Sequence, residues 1–222
     1  MMNERGKITY PAPTVCEDEI LRYAGCRKAD EATLSLLRSC LEEALPVLSY
    51  AVCYRLCSLS VGNGICRIGD REFVSQKLAL RLSGCDKAVL FAATVGVGLD
   101  RLIAKYGRLS PAKGLMMQAI GAERIEALCD AFCKDVAEQT KQAIPPRFSP
   151  GYGDLPLEIQ PTIVALTDAQ KQIGIGLTES LLMTPSKSVT AILGLANDTT
   201  NTCQTKSCSD CDAVDCDFRR TL

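Results

Sequence analysis

Along the chain the apolar positions change period several times. Residues 1–29 mix proline, charged and small residues and read as an arm with one short helix at about 18–23. From Asp30, Leu34, Leu37, Leu41 and Leu45 recur at three- and four-residue spacing. That predicts an amphipathic helix with Asp30 as N-cap and Pro46 at its end or at a kink. Tyr50, Val52, Tyr54 and Leu56 then alternate with Ala51, Cys53, Arg55 and Cys57, a strand pattern. Turns at Gly62-Asn63-Gly64 and Gly69-Asp70 frame a short strand over 65–68, and a helix is predicted from about Phe73 to Gly84. Residues 87–95, KAVLFAATV, form a continuous apolar run, expected as a strand buried on both faces. Gly96 and Gly98 open a helix closing at Gly107; this Gly-x-Gly lacks the remaining dinucleotide-binding residues and reads as packing. Ser110-Pro111 starts a further helix that runs to about Lys141, with its first half apolar on most sides. Beyond Pro145-Pro146, a helix over 157–173 is interrupted near Pro161. Two strands, 177–183 and 188–195, then flank a turn at 184–187 with Pro185 in its second place.

Composition narrows the classes. The 222 residues allow one domain, or one domain with a small appendage, and 47% apolar residues suffice for a core. A net charge of −1 argues against a nucleic-acid partner. No apolar run reaches the length of a membrane span, and the N-terminus lacks a signal-peptide pattern. The 13 cysteines are odd in number and spread through apolar segments, which points to a reducing cytoplasm rather than a disulfide scaffold. The absence of histidine excludes a Ser-His-Asp triad and His-ligated metal within this chain.

Three stretches carry candidate chemistry. The first is RFSPGYGD, residues 147–154. Pro145 and Pro146 stop the preceding helix, Arg147 offers a planar fork for a carboxylate, and Gly151 and Gly153 flank Tyr152 in a tight turn. The stretch reads as a loop that grips a small anion-bearing molecule, with Ser149 beside it; the alternative is a plain Pro/Gly loop with a solvated arginine. The second is the pair Glu126 and Asp130, one helical turn apart and so on one face. They form either a solvated acidic face or a partner for an ammonium or ribose. Glu179, Ser180 and Thr190 are polar positions in apolar strands and are expected to line a pocket. The third stretch is the C-terminal tail. After a polar linker beginning at Asn197, Cys203, Cys208, Cys211 and Cys216 place four thiols within fourteen residues, among several aspartates. Four thiolates at such spacing hold one zinc or an iron–sulfur cluster, and the spacing does not choose between them. The alternative is an unfolded Cys-rich tail. The pairs Cys53/Cys57 and Cys129/Cys133 are expected as small core residues.

Arg147, Gly151 and Tyr152 match an Arg-x-x-x-Gly-Tyr motif. Leu177 to Ser180 match a Leu-Thr-Glu-Ser segment, and Pro185, Ser188 and Val189 a Pro-x-x-Ser-Val segment. With these motifs in this order the chain resembles the reactivation domain of cobalamin-dependent methionine synthase. The likeness is strong after residue 145 and weak before about 85. It is nearest to stand-alone activation proteins with a Cys-rich tail.

The resemblance implies binding of S-adenosylmethionine beside a cobalamin carried on another domain. Arg147 would hold the methionine carboxylate, with Ser149 beside it. The Gly151 backbone would let the adenosyl group lie close, and Tyr152 would act between sulfonium and corrin as the catalytic-site residue. Glu126 and Asp130 correspond to an acidic pair on the helix before the arginine loop. The chain departs from the family at Leu193 and Gly194, where a Tyr-Phe pair is expected, and at 157–159, where a histidine is missing. The whole predicts an α+β fold, helices packed on a mixed, largely antiparallel sheet, with a domain over 1–196 and a Cys-rich metal-binding tail over 197–222.

Functionally, the resemblance implies a cytoplasmic component of methionine synthase (methyltransferase) activity in methionine biosynthesis. It would act in trans on a cobalamin-carrying methionine synthase or other corrinoid protein, with an electron donor. The alternatives are an iron–sulfur redox activator of corrinoid proteins and a non-catalytic S-adenosylmethionine-binding module with structural zinc.

Overall fold

The computed structural model describes residues 2–26 and 28–196. Its centre is β5 (Cys85–Thr94), the apolar run expected to be buried on both faces. Ala88 to Ala93 are all fully buried. On one side β5 pairs with β2 (Tyr50–Gly62), and on the other with β8 (Ser188–Ala196). The long β2 then pairs with β1 (Arg5–Tyr10) along its first half and β3 (Ile65–Ile68) along its second, and β4 (Arg71–Val74) closes the edge. All these pairings are antiparallel, so the α+β expectation holds.

Strand alternation sorts the side chains into two helical layers. Val89, Phe91 and Ala93 of β5, with Ala191 and Leu193 of β8, face α5 (Pro111–Thr140), which packs beside α1 (Glu17–Tyr23), α2 (Glu31–Ala44) and α4 (Gly98–Leu109). Phe132 of α5 fixes this layer, with its ring 4.9 Å from Phe91 and 5.8 Å from Tyr54. The opposite residues, Ala88, Leu90 and Ile192, pack with α3 (Gln76–Arg81) and α6 (Gln160–Thr167), while Ala92 meets α7 (Ala169–Ile173). Among the described residues no helix is long and apolar enough to cross a membrane.

Asp30 caps α2 as predicted, accepting from the Thr33 amide at 2.8 Å. Elsewhere local detail differs from the sequence reading. The N-terminal arm contains β1, in which Ile8 and Tyr10 turn inward and Tyr10 donates to Asp135 at 2.8 Å. The helix expected from Phe73 begins at Gln76, because 71–74 complete a hairpin with β3. Pro161 lies in the first turn of α6, where its missing N–H costs nothing. The break in that helical region is instead Asp168, in the left-handed conformation.

The segment 177–183 is not one strand. Only β6 (Gly176–Leu177) and β7 (Met183–Thr184) pair. Between them the Thr178 hydroxyl accepts the Leu182 amide at 3.0 Å and meets Ser180 Oγ at 3.0 Å, and these local bonds close a turn. The hairpin turn thus falls at 178–182, and Ser186 instead binds Asp100 at the start of α4 through its amide (2.8 Å) and hydroxyl (2.6 Å).

Candidate functional site

The site begins where α5 ends. Lys141 adopts the left-handed conformation and its amide closes on Ala137 at 2.8 Å. The chain then runs back along β8 as an irregular outer edge. Ala143 bridges Ala196, and Phe148 exchanges two backbone bonds with Ile192, at 3.0 and 2.8 Å. Pro145 and Pro146 between them lack amide donors, so no regular strand forms. Phe148 packs with Ile192 in the α3/α6 layer. Its neighbour Arg147 therefore turns to the other side, toward α5.

There Arg147 meets Glu126 and Asp130. Its Nη1 donates to Asp130 Oδ1 at 2.6 Å, and its Nη2 donates to Glu126 Oε2. The helical spacing of the two acids makes one planar guanidinium able to span both. The three differ in exposure: the side chains of Arg147, Glu126 and Asp130 are 21%, 42% and 66% exposed. Asp130 is thus the partner that solvent screens most. Burial alone would disfavour the Arg147 charge, but its carboxylate neighbours outweigh it and hold the guanidinium more firmly protonated than usual.

Further along the same face of α5 lie Cys133, Lys134 and Ala137, which with Glu126 and Asp130 form one wall of a groove of about 990 Å³. The loop 142–150 and Tyr152 form a second wall, and Gln160, Thr190 and Met183 a third. Drug-sized and cofactor-sized ligands occupy clefts of about 300–1,000 Å³. Burial pushes the Cys133 thiol up from its ordinary range, against the opposing effect of Arg147, and pushes Cys129 well up. Both thiols remain neutral and serve as packing groups rather than nucleophiles.

The Gly-Tyr-Gly turn caps this wall. Gly151 and Gly153 have φ of +84° and +63°, a region that side chains avoid. The turn closes through Gly151 N to Leu155 O at 2.9 Å and Tyr152 N to Ser149 O at 3.2 Å. Leu155 is buried beneath it, while Tyr152 stands out, 69% exposed.

The structure therefore brings Arg147, Ser149, Tyr152, Glu126 and Asp130 together around one groove, with Gly151 in the turn beside it. Thr190 also lines it, receiving support from Gln160 at 3.4 Å. Glu179 and Ser180 do not: they stand exposed on the 178–182 turn, whose local bonds carry them away from the strand expected there. Arg81 and Gln160 line the groove but carried no signal in the sequence. At the positions of the expected Tyr-Phe pair, Leu193 is core, and a side chain at Gly194 would run into Cys85 and Leu82. The tail cysteines Cys203, Cys208, Cys211 and Cys216 lie outside the described residues. Among the described residues no group of three or more metal-ligating side chains occurs.

Fold and site together define an α+β protein with a small-molecule-sized groove at the covered edge of an antiparallel sheet. The family model of the vitamin B12-dependent methionine synthase activation domain matches residues 71–210, well over half of the chain. The chain belongs to that family. Its fold is similar to the crystal structure of the MetH reactivation domain bound to AdoHcy, with a TM-score of 0.64 at 16% sequence identity. That match covers 88% of this chain and 79% of the other. No curated protein matches the sequence.

Proposed function

We propose that this protein binds S-adenosylmethionine in the groove and supports reductive remethylation of a cobalamin presented by a partner corrinoid protein. The observation that carries this reading is the triad Arg147, Glu126 and Asp130 at the groove wall. An amino-acid head group bears one carboxylate and one ammonium, and the triad offers a counter-charge for each. The ligand in the similar reactivation domain, AdoHcy, has such a head group attached to a nucleoside. The groove's volume and mixed polar and apolar lining suit that combination.

Arg147 would take the ligand carboxylate, and the acids it releases would take the ammonium. Tyr152, at the exposed tip of the turn, would border the partner and shield the reacting methyl from water. The sulfonium supplies an already activated methyl group, and the partner's reduced corrinoid supplies the nucleophile. No residue of this chain has to move a proton, which suits a chain without histidine. What the protein contributes is position, with the reacting atoms brought to about 3–3.5 Å.

The test is conversion of cob(II)alamin to methylcobalamin on a corrinoid partner, followed by visible absorption with S-adenosylmethionine and an electron donor present. The protein should accelerate it. Tyr152→Ala should slow that step by roughly 10- to 100-fold, the scale of a misplaced reacting pair, while affecting ligand affinity far less. No acceleration with any corrinoid protein of the same cell would end the activator reading. Outside the described residues, we propose that Cys203, Cys208, Cys211 and Cys216 hold one zinc or iron–sulfur centre. Anaerobically prepared protein should contain metal that is lost on truncation at Asn197; metal content unchanged by truncation would assign it to other cysteines.

A further inference from the structure

We propose that Asp154 is a positioning residue for the groove: its carboxylate staples the Gly-Tyr-Gly turn to the start of α3. The functional half of this inference rests on the ligand reading above; the staple itself does not. The Asp154 carboxylate accepts from the Ser75 hydroxyl, from the Gln76 amide at 2.7 Å and from the Lys77 amide at 3.2 Å. These partners lie nearly eighty residues earlier in the chain.

A helix-capping role alone does not explain the arrangement. Ser75 already caps α3, its hydroxyl oxygen accepting the Leu78 amide at 3.0 Å. That bond leaves the hydroxyl proton for Asp154, so the serine is oriented from both sides. The helix has its cap without Asp154, so the carboxylate's remaining bonds serve to tie the turn to it. The turn's backbone bonds, Gly151 to Leu155 and Tyr152 to Ser149, close it on itself and do not aim it. The second contact is steric: a Cβ at Gly153 would come within 2.7 Å of Lys77 Cδ, so the turn lies flat against α3. Ser75 and its hydrogen bonds also hold the Asp154 carboxyl below the usual carboxylate range, so it is ionised at neutral pH.

The consequence reaches the groove at two places. Tyr152 is two residues before Asp154, and Arg81, another lining residue, sits at the end of α3. One carboxylate thus sets the spacing between the turn that presents Gly151 and Tyr152 and the helix that presents Arg81.

The test compares wild type, Asp154→Ala and Asp154→Asn. Hydrogen exchange at the Gly151–Leu155 amides is measured without ligand, and S-adenosylmethionine affinity is measured by calorimetry well below the unfolding transition. In Asp154→Ala those amides should exchange about tenfold faster or more, as local opening becomes easier. Affinity should fall roughly five- to tenfold, the scale of one lost hydrogen bond. Asn keeps one acceptor oxygen and should fall between the two in both measurements. Unchanged exchange in Asp154→Ala overturns the staple. Faster exchange with unchanged affinity overturns the positioning role. If wild type itself fails to bind S-adenosylmethionine, the ligand reading fails, and the exchange comparison still decides the staple.

Discussion

Arg147→Lys is expected to weaken S-adenosylmethionine binding by about 1–3 kcal/mol, roughly five- to 150-fold, measured by calorimetric titration of both proteins. The charge survives this change, so the loss reports geometry. Arg147 reaches Asp130 and Glu126 with two different nitrogens of one rigid plane. A lysine ammonium at the same place is a point donor on a flexible stem and cannot hold two acceptors apart in fixed directions. A ligand carboxylate must enter this ion-paired cluster, and the more exposed Asp130 is the partner it displaces at least cost. In the proposed binding mode lysine therefore loses twice, in the two-point grip on the ligand and in the placement of the acids that would receive its ammonium. Equal affinities for the two proteins would remove Arg147 from the site.

This part of the site was readable from the sequence because its chemistry sits in consecutive residues or at helical spacing. Arg147, Gly151 and Tyr152 are held in order by prolines and glycines whose backbone restrictions are local. Glu126 and Asp130 share a face by the helical period alone. Of the third wall only Thr190 was readable, as a polar position in an apolar strand; Gln160 was not, because it meets Thr190 only through the packing of α6 on β8. Arg81 is similar, since its place depends on where α3 is docked.

Fold errors had equally physical sources. Leu177 to Met183 carries a strand-like mix of apolar and polar residues, and the Thr178 side chain decides the outcome through bonds to nearby backbone. The strand β1, RGKITY, has too few apolar residues to stand out, and it forms because β2 offers an open edge. By contrast, β5 was legible at once, since nothing but burial on both faces accommodates such a run.

The largest stability effect is expected at Arg124. Glu123 and Arg124 are adjacent on α5, and neighbouring helix positions do not ordinarily face each other. In the structure their side chains are 5% and 0% exposed and bonded together, with Arg124 Nη2 to Glu123 Oε1 at 2.6 Å. Arg124 also donates to the carbonyls of Pro13 at 2.6 Å and Thr14 at 2.7 Å, and Glu123 accepts the Cys16 amide at 3.2 Å. The pair pins the N-terminal arm between β1 and α1 onto α5. Arg124→Met removes the cation and leaves the Glu123 carboxylate buried without its counter-charge, with two carbonyls also unpaired. The expected cost is about 3–5 kcal/mol, read from urea unfolding. The double variant Glu123→Gln/Arg124→Met removes both charges together and should recover a large part of that loss, because the penalty lies in the uncompensated charge rather than in the missing attraction. A single variant that loses less than about 1 kcal/mol, the range of exposed ion pairs, would show that water reaches this pair and that the arm is held by its apolar contacts instead.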